Sequence, residues 1–239
     1  MVLGGGCDKK REQLIEKVAG PSASATEPPP PPAPRLDRVP DITVDSDGLY
    51  MGGERASLAQ RDGAQKLEAI VARYQLTGKT VVVTALRNAR TPHVAAVVTA
   101  LTDHGAAEIL VRTQDRDRKE TTLKLTPDRK LGAVPPCSVV TLMLKERQTV
   151  SWPQRGGLAT KYPRGMAGPD MSQTLDGITK QLKACPSAAL LFSGDDSVEW
   201  GLTFDLAKLV ATAQPPLTVD RYALLREVPT VGRPARLTP

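Results

Sequence analysis

Residues Lys79–Leu86 (KTVVVTAL) form a β-branched run bounded by turn signals, which reads as a strand buried on both faces. Such a strand needs cover, and helical patterns flank it in sequence. Upstream, Leu58–Tyr74 sets Leu67, Ile70, Val71 and Tyr74 on one face, with Ser57 as its N-cap; Gly63 weakens its start and Thr77-Gly78 closes it. Downstream, Thr91 as N-cap and Pro92 at the first helical position open a helix whose apolar face is Val94, Val97, Val98 and Leu101. Gly105 follows that helix as its C′ residue, and Ala107–Arg112 is a closing strand. Ahead of all this, Ile42 and Val44 alternate with Thr43 and Asp45, Ser46-Asp47-Gly48 supplies turn chemistry, and Leu49-Tyr50-Met51 returns. The predicted order for Asp41–Arg112 is therefore β-hairpin–α–β–α–β, with two helices packed on one face of a sheet.

The same order returns later. Val139–Leu144 and Gln148–Trp152 read as two strands around Lys145-Glu146-Arg147, followed by a Gly/Pro-rich insert, Pro153–Pro169. Met171–Ala184 is a helix with Leu175, Ile178 and Leu182 on one side, and Ala188–Phe192 is a buried strand. Ser197 is expected to cap a helix carrying Val198, Leu202, Leu206, Leu209 and Val210, which Gln214-Pro215-Pro216 ends before a last strand, Leu217–Leu225. Aligning the copies sets Thr84 beside Phe192 and Pro92 beside Glu199. The fold class is thus α+β, in two tandem small domains of this one topology. The expected organisation is a tail and Pro-rich tether (1–40), domain 1 (41–112), a charged linker (113–136) with room for a short strand at Leu123–Leu125, domain 2 (137–227) and a loose tail (228–239).

Composition excludes several roles. The net charge of +6 comes from 32 basic and 26 acidic residues that are interspersed, as in Asp115-Arg116-Asp117-Arg118-Lys119-Glu120, and aromatics are 3% of the chain. Neither a phosphate-binding stripe nor a base-stacking platform is present, so nucleic acid is not an expected partner. No run of about 18 apolar residues offers a membrane span. Three cysteines and two histidines fall at no metal-ligand spacing. With Thr43 at position 1, Asp45, Asp47, Gly48 and Glu54 match positions of a calcium loop, but the first ligand should be Asp and an entering helix is missing, so a plain hairpin turn is preferred. Asp195-Asp196-Ser197 reads as helix capping, Asp103 and His104 diverge on a helix, and Gly4-Gly5-Gly6 lacks the Lys-Ser/Thr of a phosphate loop. No catalytic residue, metal or cofactor is expected, and an enzyme working between the domains would need an ionisable cluster that the sequence does not display.

Met1–Lys10 (MVLGGGCDKK) resembles the end of a bacterial lipoprotein signal peptide, which would make Cys7 a lipidation site. Gly4 stands where that pattern has Leu, and the apolar segment is missing, as a late start site would explain; a free cysteine on a tail is the other reading. Asp8–Ala19 is a short charged helix, and Pro28–Pro32 is a stiff polyproline II spacer, rising about 3.1 Å per residue.

The hairpin Ile42-Thr43-Val44-Asp45-Ser46-Asp47-Gly48-Leu49-Tyr50-Met51-Gly52-Gly53 resembles the opening of the periplasmic domain of the ExbD/TolR biopolymer-transport family. That family's next landmark is a helix opening V-P-Y-G. Thr91-Pro92-His93 keeps its proline, and Val198-Glu199-Trp200-Gly201 keeps its valine, aromatic and glycine. The resemblance covers Asp41–Arg112 and, more weakly, Val139–Leu225. It implies a small, dimeric, periplasmic α+β domain that couples the proton-motive force to an outer-membrane partner or contacts peptidoglycan. Partner-binding candidates are then Asp45, Asp47, Tyr50, Pro92, His93 and Trp200. Family members carry an N-terminal transmembrane helix with an essential Asp, and its absence from this sequence implies an accessory or divergent version, held to a membrane only through a lipid anchor. An oxidising compartment and the return of the second copy's first helix to the sheet edge favour a Cys137–Cys185 disulfide, worth about 4 kcal/mol in the chain-entropy model. The expected function is a non-enzymatic binding or coupling module of an envelope transport system; the alternative is a structural lipoprotein that binds peptidoglycan.

Overall fold

The β-branched run is a strand, Thr80–Ala85, at the middle of a six-stranded sheet. The structure, a computed structural model, describes residues 35–126, 131–166 and 168–237. Cys7, the Asp8–Ala19 helix and the Pro28–Pro32 tract lie outside the described residues. In the first half the elements are β1 (Ile42–Val44), β2 (Gly48–Met51), β3 (Glu54–Ser57), α1 (Gly63–Val71), β4 (Thr80–Ala85), α2 (Thr91–Asp103), β5 (Glu108–Gln114) and β6 (Glu120–Leu125). Their sheet order is β3-β2-β1-β4-β5-β6. β1 pairs antiparallel with β2, setting Ile42 opposite Met51 and Val44 opposite Leu49, and parallel with β4. Gly48 closes the hairpin at φ +151°, where a Cβ would lie 2.2 Å from the Ala56 carbonyl oxygen.

Three expectations change here. Ser57 does not cap a helix: it ends β3, which pairs with β2, and α1 begins only at Gly63. Pairing of Glu54–Ser57 with the hairpin takes the residues that would have formed the helix start. Thr91 is the first helical residue of α2 and Arg90 the N-cap, so Pro92 stands one position further in. The Thr91 hydroxyl instead meets Thr203 Oγ1 at 2.8 Å. The first half of the expected linker 113–136 joins the sheet: β5 runs on to Gln114, and β6 pairs antiparallel with β5 and buries Leu123 and Leu125.

The second half contains β7 (Val139–Met143), β8 (Thr149–Pro153), β9 (Thr160–Tyr162), α3 (Met171–Leu182), β10 (Ala188–Gly194), α4 (Trp200–Ala211) and β11 (Val219–Leu224). Its order, read as β9-β8-β7-β10-β11, is that of β3-β2-β1-β4-β5. The strand senses agree as well: the hairpin pairs are antiparallel, and the next two pairings are parallel. The third hairpin strand comes from the Gly/Pro-rich insert. Ser197 is not the cap of α4; Glu199 is. Val44 pairs with Ala85 and Met143 with Gly194, and each of these strand ends precedes its helix N-cap, Arg90 or Glu199, by the same number of residues. Register therefore matches Thr84 to Ser193 and Pro92 to Gly201, one and two positions from the alignment expected on sequence.

Both helical layers join one apolar core, which runs from Ile42, Val83 and Leu101 to Ile178, Phe192 and Trp200. The far faces of the two sheets differ. That of the second sheet is buried in its own cluster, where Val140, Leu142, Val150, Trp152, Leu191 and Leu225 pack against Leu131, Val134 and Ala235. The expected loose tail is thus part of the fold. Trp152 Nε1 donates to the Arg233 carbonyl at 2.8 Å, and the Ala235 amide donates to the Gln154 carbonyl at 3.1 Å. On the first sheet, Tyr50 and Val82 point outward and stay 49% and 45% exposed.

Candidate functional site

The β1–β2 turn is held by a small ionic lattice. Asp45 Oδ1 accepts from the amides of Asp47 (2.9 Å) and Gly48 (3.0 Å), a side-chain mimic of a turn. Arg55, opposite Tyr50 on β3, reaches back with Nη2 to Asp45 Oδ2 at 2.6 Å and with Nε to Asp47 Oδ2 at 3.0 Å. Ser57 Oγ donates to Asp47 Oδ1 at 2.7 Å, and this bond and then Arg55 hold the Asp47 carboxyl below the usual carboxylate range. Both aspartates are thereby spent on the turn. Glu54, the would-be last calcium ligand, binds Arg73 Nη1 at 2.5 Å instead. Among the described residues no group of three or more acidic, His or Cys side chains could hold a metal ion.

His93, in the first turn of α2, packs beside this turn. Its ring is buried, and Nδ1 has no hydrogen-bond partner among the described residues. Burial, and then the Arg90 charge, press its pKa below the ordinary histidine value, against opposing pulls from Asp47 and Asp45. The structure thus brings Asp45, Asp47 and His93 together, with Pro92 half-buried beside them and Tyr50 on the same hairpin but on the open sheet face. Trp200 is elsewhere. It is fully buried, sits between Phe192 and Phe204, and donates Nε1–H to Thr113 Oγ1 at 2.7 Å, so it is a core residue and not a contact surface.

A second polar constellation was not anticipated from the sequence. It lies where the loop ahead of α2 meets α4. The Trp200 amide donates to the Ala89 carbonyl (2.6 Å) and the Gly201 amide to the Arg87 carbonyl (2.9 Å). Arg87 grips Asp205 with both terminal nitrogens, at 3.0 and 2.7 Å, and Arg116 Nε adds a third bond to Asp205 at 2.9 Å. Lys208 Nζ lies 2.6 Å from Asp115 Oδ2, and that bond, foremost, draws the Asp115 carboxyl down to about 2. Gly201, Asp205 and Lys208 recur at helical spacing on α4, the one signal in the sequence that could have pointed here. Asp195 Oδ2 accepts from the Lys145 amide at 3.1 Å, a loop contact, and His104 Nε2 pairs with Glu68 at 2.9 Å.

Cys137 and Cys185 form a disulfide, with their Cα atoms 5.7 Å apart, tying the entry of β7 to the end of α3. No helix of the described residues is long and apolar enough to cross a membrane. Comparison of the chain with family models, with curated proteins and with solved structures returns no match.

Proposed function

We propose that the protein is a non-enzymatic binding and coupling module of an ExbD/TolR-like biopolymer transport system, working in the periplasm. The observation that carries this reading is the repeated strand order, β3-β2-β1-β4-β5 and β9-β8-β7-β10-β11, with the hairpin that bears the family-like residues heading the first copy. A hairpin locked by Asp45, Asp47 and Arg55 presents Tyr50 at a fixed place, which suits recognition. The Cys137–Cys185 bridge fits an oxidising compartment. Where the loop ahead of α2 meets α4, the ionised groups are paired with one another, Arg87 with Asp205 and Lys208 with Asp115, as structural groups are, which favours binding over chemistry.

The test is cross-linking in cells from a photo-reactive aromatic at position 50, with adducts identified by mass spectrometry. Membrane subunits of a proton-driven transport complex are the expected partners. Adducts of cell-wall fragments, together with cosedimentation on purified sacculi, would replace this reading with a peptidoglycan-binding one. Palmitate labelling that disappears in Cys7→Ser would establish the lipid anchor; adducts of soluble cytoplasmic proteins alone would overturn the proposal.

A further inference from the structure

The two halves share topology and register, so their far sheet faces can be compared residue by residue. The paired registers match Thr43, Tyr50, Val82 and Leu110 of the first sheet to Leu142, Val150, Leu191 and Ala223 of the second, and one step past the end of β11 sets Arg112 beside Leu225. Every residue of the second set is buried, under Leu131, Val134 and Ala235 from segments that form no strand. The first set faces outward: Tyr50 and Arg112 are exposed, Val82 is 45% exposed, and Thr43 and Leu110 are half-buried. Leu86, 43% exposed, extends the face beyond β4. β1, β4 and β5 are parallel strands, and parallel strands are ordinarily covered on both sides. A hollow of about 420 Å³ is cut into the same end of the sheet, lined by Thr84, Leu86, Arg87, Arg112 and Gln114 among others.

We infer that the far face of the first sheet, which no described residue covers, is a docking surface for an apolar peptide segment of a partner protein that lies on it without joining the sheet. The occupant's form is argued from the molecule itself. On the matching face of the second sheet, the cover comes from two segments outside any strand, around Leu131–Val134 and around Ala235, which insert small and aliphatic side chains, the second anchored by its backbone through the Arg233 carbonyl to Trp152 and the Ala235 amide to Gln154. Where the cover is the chain's own and permanent, the face is aliphatic; where it comes and goes, Thr43, Tyr50 and Arg112 keep the empty face soluble. By register the face also carries Arg55, Thr84 and Lys124, so Tyr50, Val82, Leu86 and Leu110 form an apolar strip within a polar surround, an arrangement that suits a non-obligate interface with an apolar centre and a polar rim. The charges on this face are largely paired, Lys124 with Glu108 and Arg112 near Glu120 at 4.0 Å, which disfavours a strongly charged occupant.

The inference shares Tyr50 with the proposed function, but its test needs no transport complex, so either can fail alone. Random twelve-residue peptides displayed on phage would be selected on the intact, oxidised protein, and the enriched peptides synthesised and titrated. Enrichment of apolar sequences, with affinity falling at least tenfold in both Val82→Glu and Tyr50→Lys, is the expected result. Both positions are exposed, and unchanged thermal unfolding would establish that the variants fold. Peptides that bind both variants as they bind the parent would overturn the inference, as would no enrichment. Concentration-dependent dimerisation abolished by Val82→Glu would overturn the assigned occupant in favour of a second copy of the chain.

Discussion

Arg90 and Glu199, the N-caps of α2 and α4, pair with each other as an antiparallel bridge. They are equivalent residues of the two repeats, so the halves meet around a local pseudo-two-fold relation at the same loop of each. The side chains packed around that bridge do not obey the symmetry. α4 supplies Trp200, Thr203, Asp205 and Lys208 to the first half, and Gly201 lets it approach: a Cβ there would lie 3.0 Å from the Arg87 side chain.

Asp205 is the anchor of this seam. Its carboxylate is 9% exposed and takes three bonds from two arginines. The Arg116 side chain is 55% exposed, so solvent screens its bond, which contributes under about 1 kcal/mol. The Arg87 fork is half-sheltered, and deleting its partner leaves the guanidinium with the Gln114 carbonyl and only the more distant charges of Asp115 and Glu199, so Asp205→Ala is expected to cost about 2 kcal/mol. Denaturant unfolding measures this; a loss below about 0.5 kcal/mol would remove Asp205 from the account.

Gly177 of α3 lies under the Tyr162 ring. A Cβ on it would fall 1.7 Å from the Tyr162 hydroxyl oxygen. Alanine normally gains close to 1 kcal/mol over glycine inside a helix. Overpacking costs about 1–3 kcal/mol, and at this separation it should win. Gly177→Ala is therefore expected to destabilise the protein, and Gly177→Ala with Tyr162→Leu to recover part of the loss. A stabilised single variant, read by thermal unfolding, would contradict this.

Acid should loosen the seam through Asp115. Its folded pKa of about 2 lies below the ordinary value of 3.8, chiefly because of Lys208. A depressed carboxyl contributes stability that is fully present above its unfolded pKa and lost as pH falls from about 4 toward 2. Lys208→Met should remove most of that dependence, so the gap in stability between parent and variant should narrow as pH falls through this window. A gap that stays constant would assign the shift to another partner.

The disulfide closes a loop across a sequence separation of 48. In the chain-entropy model that is worth about 4 kcal/mol. Reduction, or Cys137→Ser with Cys185→Ser, should lower unfolding stability by about that amount. Identical denaturation midpoints with and without reductant would show that the bridge contributes nothing.

Much of this fold could be read from local pattern. The hairpin Ile42–Met51, the buried runs at Thr80–Ala85 and Ala188–Gly194 and the apolar stripes of α2 and α4 stood out because burial imposes periods of 2 and 3.6 on the residues that face a core. The turn chemistry of Asp45, Asp47 and Gly48 was legible for the same local reason. Strand β6 was nearly hidden, because an edge strand with Glu120, Thr122 and Lys124 exposed looks like a charged linker. The true helix starts at Arg90 and Glu199 carry no capping side chain, so Thr91 and Ser197 drew the boundary instead.

The sequence alone determined the two α+β halves and the order of their hairpins, helices and central strands, but not β3, β6 or β9, since each of the legible elements answers to its own neighbours along the chain. Only the tertiary structure decided what lies between and around them: Trp200 in the core instead of at a surface, the Arg87–Asp205–Arg116 seam, and a tail packed over one sheet while no described residue covers its twin face. Those outcomes rest on residues far apart in sequence, such as Thr113 with Trp200 and Gln154 with Ala235. Their pairing leaves no periodic trace, because it is fixed by how two preformed surfaces fit and not by the alternation of any one strand or helix.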